Sequence, residues 1–287
     1  MNDITEDNQE KASLLERGLG ELKELIVTIA VFLPVWFFVS LFFYELRSIP
    51  SESMVPNLQV GDRVAVSKFA YGYSRYSLPL GVGRFLPLGE GRMFAGEPER
   101  GDVVVFRHPH QDRVMIKRLI GLPGDRIQIF DNLILLNGEP MRQEPVRRVS
   151  YHEHRYGQLL NADELMETTP EGVSYLVHDI VEGTSEDREP RAETPLFVVP
   201  EGHYFFMGDN RDNSTDARAL TGHCPQSSEG VIDRAGCPPA RRYRQEASIG
   251  FVPFDHLIGR ADTVLFTLNF CSRYESGCPE GRVWKSL

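Results

Sequence analysis

Hydrophobic residues are distributed along the chain as one long N-terminal segment followed by many short runs. Residues 25–44 are mostly apolar and carry no charge. As a helix rising about 1.5 Å per residue, this segment has the length of the ~30 Å hydrocarbon core of a bilayer. It is longer than the apolar part of a signal peptide, so we interpret it as an uncleaved transmembrane anchor. A buried helix of a soluble protein is the alternative.

After residue 44, apolar and polar residues alternate over short stretches between turn signals, which is typical of strands. The pair Asn137-Gly138 predicts a tight hairpin turn. Regular short strands with few helical periods predict a mainly β fold, in which a transmembrane helix precedes a β-rich domain with an inserted second lobe. The strand-like runs are residues 60–66, 103–106, 113–120, 127–129, 133–136, 204–207 and 263–267.

Changes in composition indicate how this fold is divided along the chain. Residues 141–195 are polar and acidic without a clear period, and we interpret them as an inserted variable lobe. Basic residues are slightly more frequent before the anchor than after it, which favours a cytoplasmic N-terminus. The predicted segments are a cytoplasmic tail (1–24), the anchor (25–44), the first part of the β core (45–140), the lobe (141–195), the second part of the core (196–220), a cysteine-containing insertion (221–248), and the end of the core with a C-terminal tail (249–287).

Charge and cysteine content exclude some classes of protein. The net charge of -10 argues against nucleic-acid binding, which needs a basic surface. The four cysteines are widely spaced and lack the C-x-x-C pattern, which argues against a zinc site. Disulfides between nearest neighbours and four free thiols both remain open. The cysteines are Cys224, Cys237, Cys271 and Cys278.

A serine pair directly after the anchor is the first candidate for chemistry. Ser51 and Ser53 stand two residues apart between Pro50 and Pro56. The prolines restrict the backbone, so the segment can hold a nucleophile in a fixed position. Segments rich in Ser and Pro are also common linkers, and this pattern alone does not assign a function.

Lys117 is the candidate base. Strand alternation places Met115, Lys117 and Leu119 on one face. An amine on an apolar face loses hydration, which lowers its pKa, and an uncharged amine can accept a proton from a serine hydroxyl. From this strand alone, an ordinary surface lysine on an edge strand is the more common explanation.

The segment 208–218 is rich in charge. It contains two arginines and three aspartates, which can form local ion pairs and make a rigid loop. A calcium loop is the alternative, but the arginines oppose cation binding and the spacing is not that of an EF-hand.

In this order, four segments resemble the conserved boxes of the bacterial type I signal peptidases. They are residues 50–56, 101–106, 116–125 and 208–218. The resemblance covers about residues 25 to 270, apart from the two insertions. It implies a membrane-bound serine endopeptidase that removes signal peptides from secreted preproteins after a small-x-small motif. It further implies a single-pass protein of the bacterial inner membrane with its catalytic domain on the outer side.

The resemblance also implies roles for individual residues. Ser53 corresponds to the nucleophile and Lys117 to the general base. The Ser51 hydroxyl and the Ser53 backbone N–H correspond to the oxyanion hole. Ser214 corresponds to a serine that hydrogen-bonds and orients the lysine. Supporting roles fall to Asp209, Arg211, Asp216, Arg218 and Arg118, and the substrate pocket to Ile49, Met54, Met115 and Ile116.

Two positions depart from the family pattern. Ala217 stands where members often have serine, and Met115 stands where an aromatic residue is common. Both departures affect the shape of the pocket or the packing of the lysine, and neither removes the pair. We expect a monomer without metal or cofactor, with signal peptides and the lipid bilayer as partners. A self-cleaving Ser/Lys protease and an inactive, membrane-tethered binding protein of the same fold are the alternatives.

Overall fold

The chain forms two compact units, residues 1–43 and residues 44–287. The computed structural model describes residues 3–78, 91–130, 132–153, 158–182, 194–220, 249–268 and 281–287. The four cysteines and the predicted insertion 221–248 lie outside these described residues.

The first unit is one long helix, α1, Asp3–Phe42. Its stretch Arg17–Phe42 has a mean hydropathy of 2.6, and within the described residues it is the one helix long and apolar enough to cross a membrane. The apolar side chains of this stretch are exposed in the unit, which is consistent with membrane anchoring. The helix ends before Tyr44, the predicted end of the anchor. Tyr44 instead begins the first strand, where it pairs with Ser67.

The second unit is mainly β, as predicted. Among the described residues of this unit, two short 3₁₀ helices, Ala217–Leu220 and Phe254–His256, interrupt the strands. The strands are β1 Tyr44–Ser48, β2 Asp62–Ser67, β3 Val103–Arg107, β4 Val114–Gly121, β5 Arg126–Phe130, β6 Leu133–Leu136, β7 Glu139–Pro140, β8 Arg142–His152, β9 Leu159–Thr168, β10 Ser174–Glu182, β11 Phe197–Val198, β12 His203–Met207, β13 Val252–Pro253, β14 Leu257–Thr267 and β15 Val283–Ser286.

The largest sheet carries the predicted chemistry. Its strand order is β1-β2-β14-β3-β4-β12-β13, and β15 pairs with β14. In β4, Lys117 lies opposite Val104, and Arg118 lies opposite both Val103 and Met207. Because β12 ends at Met207, the charged segment that follows it begins beside the lysine strand.

A second sheet contains the predicted hairpin. Its order is β11-β5-β6-β7, and β6 and β7 are joined through Asn137 and Gly138. Both residues have positive φ angles, 55° and 92°, which is the left-handed backbone that this type of turn requires.

The predicted lobe forms a third sheet of order β10-β9-β8. The sequence showed no clear period in this lobe, whereas β10 alone spans Ser174–Glu182. Two features conceal these strands. Most residues of β8 are exposed or half-buried, and β9 buries the carboxylates Glu164 and Glu167, so neither strand shows a clear apolar alternation.

Candidate active site

The turn that carries Ser53 is fixed by buried neighbours and backbone hydrogen bonds. The side chains of Met54 and Leu58 are fully buried, and the backbone N–H of Leu58 donates to the carbonyl of Met54 over 2.9 Å. Before the turn, the N–H of Ile49 donates to the carbonyl of Asp62 over 3.0 Å. Ser53 itself is buried, so its hydroxyl has a defined position.

Lys117 and Ser53 are in direct contact. A hydrogen bond joins Lys117 Nζ to Ser53 Oγ, and the lysine is only 2% exposed. Burial lowers the pKa of Lys117 to about 8, although the carboxylates of Asp216 and Asp209 act in the opposite direction. At pH 7, a group with this pKa is uncharged in about one molecule in ten, which is enough to serve as a base.

The two other predicted serines occupy different environments. Ser51 is exposed, and its Oγ lies 3.4 Å from Ser53 Oγ. Ser214 Oγ is buried and makes no hydrogen bond with any described residue, so the predicted bond to Lys117 is not formed. Ser214 nevertheless packs closely against the loop: a Cβ atom at Gly208 would lie 2.2 Å from its Oγ. Its role in orienting the lysine stays a prediction.

Asp209 and Arg118 form a buried ion pair beside the lysine. Arg118 Nε and Nη2 each donate to one carboxylate oxygen of Asp209 over 2.7 Å, and Arg118 Nη1 donates to the carbonyl of Gly101. The Arg118 guanidinium also lies 4.0 Å from the ring centre of Tyr175. Asn57, just after the serine turn, donates to the same carboxylate over 2.8 Å. The pair therefore links β4, the serine turn and the loop after β12.

Asp216 and Arg218 form a second buried ion pair, which closes this loop. Arg218 Nε and Nη2 donate to the Asp216 carboxylate over 2.9 and 2.8 Å. The carboxylate also accepts the backbone N–H of Gly208 over 3.0 Å, and Arg218 donates to the carbonyl of Arg211. The two ends of the loop are thus held together.

Arg211, the remaining predicted supporting residue, has a partner that the sequence did not reveal. Its guanidinium donates two hydrogen bonds to Glu167 on β9, over 2.8 and 2.6 Å. Glu167 lies 44 positions before Arg211, in the lobe, where the sequence has no clear period. No local signal therefore pointed to Glu167 as the partner.

The predicted pocket residues divide between two buried clusters. Ile49 and Met54 belong to one cluster, and Ile116 packs against it. Met115 packs instead against the cluster around Leu119. The structure thus brings three of the four residues together. Their contact with a substrate stays a prediction, since Ile49 and Met54 are almost fully buried.

Comparison with known proteins agrees with this arrangement. The sequence model of the family described as "Signal peptidase, peptidase S26" matches residues 22–266. The chain belongs to this family. Signal peptidase I of Rickettsia typhi is 37% identical over 229 residues, with 77% of this chain and 71% of the relative covered. Signal peptidase I of Rickettsia bellii (strain OSU 85-389) is 34% identical over 271 residues, with 93% of this chain and 78% of the relative covered.

Among solved structures, a signal peptidase I from Enterococcus faecalis is 22% identical and covers 57% of this chain and 96% of its own, with a TM-score of 0.28. At that TM-score, the match carries no argument about the site. Membership of the signal peptidase family makes the protein a serine peptidase and therefore a hydrolase.

Proposed function

We propose that the protein removes signal peptides from secretory preproteins, with Ser53 as the nucleophile and Lys117 as the general base. The observation that carries the proposal is the hydrogen bond between Ser53 Oγ and the amine of a buried lysine. Family membership and the relatives named signal peptidase I support the substrate class.

A single lysine, Lys117, carries out every proton transfer of the reaction. Uncharged Lys117 takes the proton of Ser53 as Oγ attacks the carbonyl carbon of the scissile bond. The resulting ammonium gives this proton to the leaving amine, and an acyl-enzyme remains. Lys117 then deprotonates a water molecule, which releases the signal peptide and regenerates Ser53.

The neighbouring groups have supporting roles in this proposal. The Ser51 hydroxyl and the Ser53 backbone N–H stabilise the oxyanion, and Ser214 helps to orient Lys117. The ion pairs of Arg118 with Asp209 and of Arg218 with Asp216 hold the walls of the site. Ile49, Met54, Met115 and Ile116 shape a pocket for small side chains, which favours cleavage after a small-x-small motif.

The apolar helix α1 supports a membrane location for the enzyme. In the proposal, α1 crosses the bacterial inner membrane once, and the catalytic unit acts on the outer side as a monomer. Preproteins that are held in the same bilayer by their signal peptides then reach the enzyme by lateral diffusion in the membrane.

Substitution of each member of the pair tests the proposal. We expect Ser53→Ala and Lys117→Ala each to slow the processing of a preprotein by about 10⁴-fold or more, since each removes an essential part of a unit. The measurement is the rate of conversion from precursor to mature protein by the full-length enzyme in detergent. Lys285→Ala is the matched control, because it removes a lysine of the same unit on β15. Wild-type processing by Lys117→Ala would show that the base is assigned incorrectly.

A further inference from the structure

Glu167 is a buried carboxylate that no step of the proposed reaction uses. It is fully buried on β9, in the lobe. Its oxygens accept two hydrogen bonds from Arg211, one from the Tyr175 hydroxyl over 2.7 Å and one from the Gln143 amide over 2.8 Å. Burial raises the pKa of Glu167, but Arg211 and these hydrogen bonds outweigh burial and hold the pKa below its ordinary value. Glu167 is therefore a charged carboxylate, and both of its oxygens accept hydrogen bonds.

Arg211 connects the Glu167 carboxylate to the nucleophile. Arg211 Nε donates to the carbonyl of Gly208 over 3.2 Å, while the Arg211 backbone N–H donates to the carbonyl of His178 on β10 over 2.9 Å. Gly208 in turn lies directly against Ser53: a Cβ atom at Gly208 would lie 2.5 Å from the Ser53 carbonyl oxygen. A shift of the backbone at Gly208 would therefore displace the nucleophile.

Tyr175 connects the same carboxylate to the lysine. Its hydroxyl donates to Glu167, and its ring faces the guanidinium of Arg118. Arg118 is the direct neighbour of Lys117 on β4, and Asp209 fixes it through two hydrogen bonds. Glu167 is thus joined to the serine through Arg211 and to the lysine through Tyr175.

We infer that Glu167 is a positioning residue for the Ser53–Lys117 pair and that the sheet of β8, β9 and β10 is a working part of the catalytic site. The inference rests on the proposed function. Its physical basis is that a misplacement of about 1 Å between reacting groups can cost about 100-fold in rate. The ion pair of Glu167 with Arg211 restrains the loop against such a movement.

Kinetics of Glu167→Gln in the full-length enzyme test this inference. The substitution keeps the shape of the side chain but removes the charge that holds Arg211. We expect kcat on a preprotein to fall by about 10- to 100-fold while KM changes by less than about threefold, because the side chains that hydrogen-bond Glu167 are Arg211, Tyr175 and Gln143, and none of these is a proposed pocket residue. Asp163→Asn on the same strand is the matched control. It breaks an ion pair with Arg148, which is 64% exposed, and we expect wild-type kinetics.

A double variant separates positioning from a purely structural role. Glu167→Gln leaves the Arg211 cation buried without its counter-charge, which destabilises the fold. Combining it with Arg211→Met removes that charge, so thermal stability should recover towards wild type while kcat stays low. Wild-type kcat in Glu167→Gln, or recovery of kcat together with stability in the double variant, would overturn the inference. Ser53→Ala is measured in parallel: its inactivity upholds the proposed function whatever the Glu167 variants do, and its activity would overturn both.

Discussion

The ε-amino group of Lys117 can accept the Ser53 proton only in its uncharged form. Burial lowers its pKa to about 8, so the uncharged fraction grows as the pH rises through this value. We expect kcat/KM for a preprotein to rise about tenfold per pH unit on the acid side and to level off above about pH 8. Measurement of kcat/KM from about pH 5 to pH 10 checks this prediction.

The neighbours of Lys117 give this pH profile an internal control. The carboxylate of Asp216 raises the pKa of Lys117, whereas the guanidinium of Arg218 lowers it. Asp216→Asn removes the first effect and leaves the second, so the acid limb should move to lower pH. A midpoint near the value of an exposed lysine, about 10.4, or a shift to higher pH in the variant, would contradict the burial argument.

At the scale of the elements, the residue directly before β15, Arg282, contacts the serine turn. Arg282 pairs with the fully buried carboxylate of Asp62 and donates to the carbonyl of Asn57 over 2.9 Å. Arg282→Gln leaves this carboxylate without its cation. We expect a loss of about 3 kcal/mol in the free energy of unfolding, measured by urea denaturation, because a broken buried pair leaves one charge uncompensated.

Lys285, a residue of β15, provides the comparison for this variant. Lys285→Gln removes one positive charge three positions further along the chain, and its side chain makes no ion pair with any described residue. We expect its free energy of unfolding to stay within about 0.5 kcal/mol of wild type. Equal losses in both variants would mean that net charge, rather than the contact of Arg282 with Asp62, stabilises this region.

The strands that the sequence predicted are those with an apolar inner face. The run at residues 113–120 became β4, and the Asn137-Gly138 turn joins β6 to β7, because in both cases the local pattern matches the tertiary environment. The strands of the predicted lobe escaped prediction because β9 buries carboxylates. In the sequence, a buried charge looks like a surface residue until its partner is known, and the partner of Glu167 is Arg211, in the loop after β12.

For the site, too, the sequence predicted some features and missed others. Local pattern made Lys117 no more than a candidate, and only the ordered resemblance to a family paired it with Ser53. The contact between them depends on strand register and on the serine turn, which no single segment encodes. The resemblance also predicted a bond between Ser214 and the lysine, which the structure does not contain. Family patterns give residue identity at such positions, whereas hydrogen-bond geometry depends on packing such as that of Gly208 against Ser214.

The whole chain combines an apolar helix with a β unit that has its own buried clusters. Val31 and Val35 lie near the middle of the apolar stretch and are 63% and 58% exposed in the helical unit. Aspartate at the centre of a membrane helix costs about 3 kcal/mol per residue. We therefore expect a variant with Val31→Asp and Val35→Asp to be lost from membranes during an alkaline wash, whereas one with Val31→Leu and Val35→Leu stays with them. Immunoblots of pellet and supernatant measure this, and wild-type retention of the aspartate variant would mean that α1 does not anchor the protein.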